Sequence, residues 1–183
     1  MPNKKIILGL CGKISSGKGT IAEYTQEKYN AKTFRFSTIL RDVLTRLYLE
    51  INRSNMQNLS TILRSNFTED IMAKVMAEDV KNDSSEIIVV DGVRRIADIK
   101  YLKKIEGFYL VSVDADAKIR YDRLSKRSEN TDDFGKSYED FLEDEKQEAE
   151  QEIPVAMAEA QVKINNDGSF DGLYKQIDEI IKK

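Results

Sequence analysis

The stretch GLCGKISSGKGTIAEY, Gly9 to Tyr24, decides how the rest of the chain is read. It continues the apolar run Ile6–Cys11, which predicts a buried strand, and leads into a helical pattern over residues 17–28. Between them, Gly12-Lys13-Ile14-Ser15-Ser16-Gly17-Lys18 fits the spacing G-x-x-x-x-G-K. Glycines at both ends let such a loop curl until its backbone N–H groups converge. The helix that follows adds its positive N-terminal end. A lysine in the place of Lys18 reaches the β and γ phosphates of a bound nucleotide, which points to ATP. The usual hydroxyl directly after the lysine is displaced: Gly19 stands there, and Thr20 comes one residue later.

Composition narrows the remaining choices. The chain has 183 residues, enough for one domain with a sizeable core, and is 40% hydrophobic and 33% charged. A net charge of -3 gives no overall attraction to nucleic acid. There is one cysteine and no histidine, which removes a disulfide framework, the commonest general base and the commonest zinc ligand. No apolar run approaches the roughly 18 residues of a membrane span. The opening MPNKKIILGLCG is too short and glycine-punctuated for a signal peptide, so a cytoplasmic protein is expected.

Strand-like runs alternate with helical patterns along the whole chain. Strands are predicted at Ile6–Cys11, Lys32–Phe36, Glu86–Gly92, Phe108–Val113 and Gln161–Asn166. Ser37 reads as the cap of a helix over Thr38–Ile51, with Ile39, Leu40, Val43, Leu44, Leu47 and Tyr48 on one face. NRSNMQNLS, residues 52–60, reads as a polar connection, and Leu59–Lys81 as a long helical region. Further helices are expected over 95–104, 115–127, the acidic stretch 138–153 and Phe170–Ile181. Five strands separated by helices predict an α/β fold, a three-layer α/β/α domain spanning 1–183 around a parallel sheet. Ligands of such sheets sit outside the carboxyl ends of the strands.

The ending Gly-Lys-Gly-Thr at residues 17–20 resembles the adenylate-kinase group of nucleoside monophosphate kinases. That resemblance implies a P-loop kinase fold with strand order 2-3-1-4-5, a helical acceptor-binding region at 37–81 and a short lid at about 126–140. It implies that Gly12, Ser15, Ser16, Gly17, Lys18, Gly19 and Thr20 hold the donor's phosphates. Magnesium in that group is held largely through water, so Thr20 would be an indirect metal partner. Arg41, in FRFSTILRDVL, resembles the family's arginine on the acceptor phosphate. DGVRR at 91–95 resembles Asp-Gly-Phe-Pro-Arg, which makes Asp91 the carboxylate that orders magnesium-bound water and Arg94 a second acceptor-phosphate ligand. Arg64 is a further candidate for the acceptor phosphate or sugar. Arg120, Arg123 and Arg127, spaced three and four residues apart, resemble the arginines at the family's lid entrance, with Arg123 and Arg127 preferred as catalytic groups. The helix after the lid is acidic where the family supplies more arginines, with Lys136 and Lys146 as imperfect substitutes. KINNDGSFDGL resembles the closing turn of dephospho-CoA kinases and phage-type deoxynucleotide kinases, which would place Asn165, Asn166 and Gly168 beside the donor adenine. Each of these residues also reads as an ordinary turn or surface residue when taken singly.

Across residues 5–183 the pattern is closest to an archaeal-type P-loop family described as nucleotide kinase-like or dephospho-CoA kinase-like. The implied activity is ATP- and Mg²⁺-dependent phosphoryl transfer to a nucleoside or deoxynucleoside monophosphate. Such transfer relies on positioning and charge neutralisation more than on a side-chain base, which suits a chain without histidine. Two alternatives stand beside it. A dephospho-CoA kinase needs a carboxylate by the acceptor hydroxyl, and after strand 2 only Asp42 is near. A nucleotide-binding regulatory ATPase would need no acceptor. The partner expected is a small-molecule nucleotide, with no membrane and no nucleic acid, on a monomer or homodimer.

Overall fold

A computed structural model describes residues 5–126, 137–146 and 151–182. Five strands form one parallel sheet: β1 (Ile6–Cys11), β2 (Lys32–Arg35), β3 (Ile87–Val93), β4 (Phe108–Asp114) and β5 (Val162–Asn165). Their order is β2-β3-β1-β4-β5, as expected for a P-loop kinase. The central β1 pairs with β3 from Ile6↔Ile87 to Leu10↔Asp91 and with β4 from Ile7↔Phe108 to Cys11↔Ser112.

Alternation along β1 builds both cores, because successive side chains point to opposite faces. Leu8 and Leu10 join Val89, Val111 and Val113 beneath α1 (Lys18–Tyr29) and the C-terminal helix (Phe170–Ile181), which adds Leu173 and Ile177. Ile7 and Cys11 face the other way, toward Met76, Ala77 and Val80 of the helix Ile71–Asn82 and toward Ile99 and Leu102. Gly9 lies between them on that second face. A Cβ there would fall 2.8 Å from the Phe108 ring, so the missing side chain makes room for the aromatic.

The sheet matches expectation better than the helices do. α2 runs Phe36–Arg46, capped at Arg35 rather than Ser37, and the chain then turns through Tyr48 at φ 57. Only Leu44 of the predicted apolar face is buried, while Leu47 and Tyr48 are exposed. The predicted connection 52–60 is helical instead: α3 (Arg53–Asn66) starts at Asn52, whose side chain accepts the Asn55 N–H at 2.8 Å. The long helical region expected over 59–81 consists of the end of α3 and a second helix, α4 (Ile71–Asn82), separated by Phe67–Asp70. Residues 95–104 form two short 3₁₀ turns, Ile96–Ile99 and Leu102–Lys104.

α5 spans Ala117–Ser125, and the acidic stretch gives α6 (Tyr138–Asp144). That stretch is not one helix to Ile153. A separate α7 (Ile153–Ala158) takes Pro154 in its first turn, the place in a helix where a missing N–H costs nothing. The C-terminal helix Phe170–Ile181 is α8. Among the described residues no helix is long and apolar enough to cross a membrane. Of the proposed lid, Arg127 and Lys136 lie outside the described residues.

Two predictions follow from this packing. Burial pushes the Cys11 thiol up to about 11, against the pull of Lys18, so at neutral pH it stays protonated and poorly nucleophilic. An aromatic disulfide reagent is expected to label Cys11 only after denaturant unfolds the chain; prompt labelling of native protein contradicts this. Gly107 sits at φ +83 ahead of β4, and a Cβ there would lie 1.9 Å from the Lys5 carbonyl oxygen. Gly107→Ala should cost about 2 kcal/mol or more in denaturant titration, from strain and forced separation of the β1 and β4 starts.

Candidate functional site

The loop between β1 and α1 rises from the carboxyl end of the central strand and is held by its neighbours at close range. A Cβ on Gly12 would lie 2.2 Å from the Val113 carbonyl oxygen and 2.9 Å from Ser16 Oγ. Gly17, at φ +110, begins α1, and a Cβ there would lie 2.1 Å from Asn166 Nδ2. Both glycines are thus required by backbone approach. Asn166 uses that closeness: its side-chain amide donates to the Ser16 carbonyl at 2.8 Å, and its own N–H donates to Asp114 O at 2.8 Å.

Inside the curl, Ser15 adopts φ 57 and the Lys18 ammonium folds back, donating to Gly12 O at 2.6 Å and Lys13 O at 2.9 Å. Ser16 is fully buried and Ser15 nearly so, and neither hydroxyl has a hydrogen-bond partner. α1 has no side-chain cap and no acidic residue in its first turn, so its N-terminal N–H groups and positive dipole end face the loop unopposed. Buried polar atoms without partners cost stability, and an anion cradled by the loop would satisfy them. Gly19 and Thr20 follow in the first turn, half-buried.

Asp91 lies near the end of β3, in register with Leu10 of β1 and Arg35 of β2. Its Oδ2 lies 3.4 Å from Arg35 Nε, and its Oδ1 is buried without a hydrogen-bond partner. Arg35 was not singled out in the sequence. The available signal was the expected strand order 2-3-1-4-5, which sets β2 beside β3 but leaves open the register that puts Arg35 opposite Asp91. Among the described residues no cluster of three or more acidic, cysteine or histidine side chains could cage a metal.

The arginines sort by burial. Arg120 is 2% exposed and donates to Ala115 O at 2.9 Å, to Ile14 O at 3.4 Å and to the Glu145 carboxylate. Arg64 is bonded to Ser60 and Glu69 and lies 3.9 Å from Asp98. Arg123 donates to Asn166 O at 2.7 Å, while its Nη1 is buried without a hydrogen-bond partner. Arg41 and Arg94 are exposed. Arg127 lies outside the described residues.

Asp98 was also missed by the sequence reading. It is 5% exposed and accepts the backbone N–H groups of Arg94 and Arg95, each at 3.0 Å, which sets the path of the chain after Gly92. The turn after β5 is internally bonded: Asn165 Nδ2 donates to Asp167 at 2.7 Å, and Asp167 accepts the Asp116 N–H at 2.7 Å. Gly168 has open space around it. The structure therefore brings together the loop, Asp91, Arg123 and Asn166, and commits Arg64 and Arg120 to internal carboxylates and carbonyls.

Known proteins resemble this chain in sequence and in fold. The chain is 26% identical over 182 residues to a UPF0200 protein of Methanocaldococcus jannaschii, covering 97% of this chain and 90% of that one. Its fold is similar to that of TT1252 from Thermus thermophilus, with a TM-score of 0.63 at 18% identity, covering 98% and 97% of the two chains. It is also similar to shikimate kinase from Bacteroides thetaiotaomicron, with a TM-score of 0.61 at 15% identity, covering 97% and 94%. A family model described as "AAA domain" matches residues 11–141, from the end of β1 into α6. The chain belongs to that AAA domain family, and its architecture is a kinase-like P-loop fold.

Proposed function

We propose that this protein transfers the γ-phosphoryl group of ATP to the phosphate of a nucleoside or deoxynucleoside monophosphate. The observation that carries the reading is the cradle itself. Two buried serine hydroxyls without partners and an uncapped helix N-terminus surround a lysine whose ammonium donates to the Gly12 and Lys13 carbonyls of the loop. The kinase-like fold supports phosphoryl transfer as the chemistry.

In this reading Gly12, Ser15, Ser16, Gly17, Lys18, Gly19 and Thr20 bind the donor's phosphates. Thr20 and Asp91 would hold a magnesium ion through water, and such an ion would supply positive charge against the nucleotide's phosphates. Arg41 and Arg94 clamp the acceptor phosphate, and helices α2 to α4 form the acceptor side of the cleft. Asn165, Asn166 and Gly168 pass along the donor's base. An acceptor phosphate oxygen forms a bond to the γ-phosphorus as the bond to the β–γ bridging oxygen breaks, and ADP leaves. Lys18, Arg123 and Arg127 offset charge on the transferring group, where fixed cations act without reorganisation. Arg64 and Arg120 are read as braces of the frame, since their guanidinium groups are already committed.

A hydroxyl acceptor, as in dephospho-CoA kinases, is the second reading. One observation favours it: Asp91 Oδ1 is a buried carboxylate oxygen with no hydrogen-bond partner at the strand end, able to accept a hydroxyl proton.

ADP formation and product identity, followed across ribo- and deoxyribonucleoside monophosphates and dephospho-CoA, test the choice. Turnover with one monophosphate is expected, and turnover with dephospho-CoA alone selects the second reading. ATP hydrolysis indifferent to every acceptor contradicts both. Lys18→Met is expected to lower kcat by about a hundredfold or more without a change in melting temperature. Arg94→Ala should act mainly through the acceptor, and full kcat with unchanged acceptor KM in that variant removes its assigned role.

A further inference from the structure

The acidic helix α6 follows the lid where the family resemblance expects arginines, and one of its carboxylates reaches the phosphate loop. Phe141 anchors the helix: it is fully buried, packs near Tyr121 and Tyr138, and lies 5.3 Å from the Arg120 guanidinium. One turn later, at the helix end, Glu145 Oε2 stands 3.0 Å from Lys13 Nζ, and Oε1 accepts from Arg120 Nη1. The carboxylate is 13% exposed, the Lys13 side chain 35%. Burial works to raise the Glu145 carboxyl, and the hydrogen bonds from Arg120 and Lys13 outweigh it, so it lies below its ordinary range.

Lys13 and Glu145 also line an open cleft of about 480 Å³ beside the loop, so a ligand can reach the ammonium. The other charges on that wall are Glu139, Glu143 and Lys146, and the last two pair with each other. The two cations on Glu145 differ. Arg120 is sealed in and also bonded to Ile14 O, so it cannot leave its carboxylate without stranding a buried charge. Lys13 is half-exposed and can change partners.

We infer that Glu145 is a positioning residue of the donor site that holds nucleotide affinity down, because its carboxylate and the nucleotide's phosphates compete for Lys13. The inference rests on the reading of the loop as the ATP site. A di- or triphosphate carries more charge than one carboxylate and wins the ammonium when bound. Part of its binding free energy is then lost in breaking the Lys13–Glu145 pair. Arg120 keeps Glu145 and α6 in place throughout.

Calorimetric titration of the full chain with Mg²⁺·ADP tests this by a double-mutant cycle. Glu145→Gln keeps the shape and a hydrogen bond to Arg120, and should bind about fivefold tighter than wild type. Lys13→Met should weaken binding only about twofold in the wild-type background and about tenfold in the Glu145→Gln background. Glu145→Asp is expected to return affinity toward wild type. Additive effects, or a Glu145→Gln protein with equal or weaker affinity, overturn the inference and make the carboxylate a simple brace. If Glu145→Gln melts early, Lys13→Met alone decides: a loss well beyond tenfold shows that Lys13 was never neutralised. Wild-type protein that binds no Mg²⁺·ADP overturns the donor-site reading itself, and the competition with it.

Discussion

The site depends on how closely the backbone after β1 approaches the ends of β4 and β5. With Gly12 against the Val113 carbonyl and Gly17 against the Asn166 amide, the loop has no room for side chains at its two hinges. That closeness lets Asn166 bond to Ser16 O and lets Arg123 bond to Asn166 O, so the loop, the β5 turn and α5 form one connected unit. The same compression buries the Ser15 and Ser16 hydroxyls without partners. The cost of leaving them so is the physical reason to regard the loop as a receptor rather than a turn.

Charge is the second organising constraint. A chain without histidine has only arginine and lysine as fixed side-chain cations, and a buried guanidinium is tolerated only when paired. Arg120 meets that requirement through Glu145, and the half-buried Arg64 pairs with Glu69. Asp98, 3.9 Å from Arg64, also holds the Arg94 and Arg95 amides and so aims the segment after Gly92. The Arg35–Asp91 pair sits between these roles, at two adjacent strand ends.

Most of the sheet was legible because strand signals are local. Ile6–Cys11, Phe108–Val113 and the apolar run before Asp91 announce themselves by branched residues bounded by glycine, and each is a strand within a residue or two. Helix ends were less legible because caps compete. Asn52 captures the Asn55 N–H and turns an apparent connection into α3, whereas Leu47 and Tyr48 continue the apolar spacing of α2 but find nothing to pack against. The acidic stretch 138–153 ends its first helix at Asp144, while Pro154, just past the stretch, sits in the first turn of α7.

By itself the sequence determined the glycine-rich loop between β1 and α1, the five strands, and the carboxylate near the end of β3, because each is carried by a few neighbouring residues with fixed backbone demands. Only the tertiary structure decided which charged groups face one another. The arginine helix of α5 reads as one basic face, yet Arg120 is buried against a glutamate twenty-five positions later while Arg123 turns to the β5 loop. Arg35 and Asp91 are fifty-six residues apart and meet because their strands are neighbours. Pairing of that kind depends on burial and on long-range register, and neither is written in any short stretch of the chain.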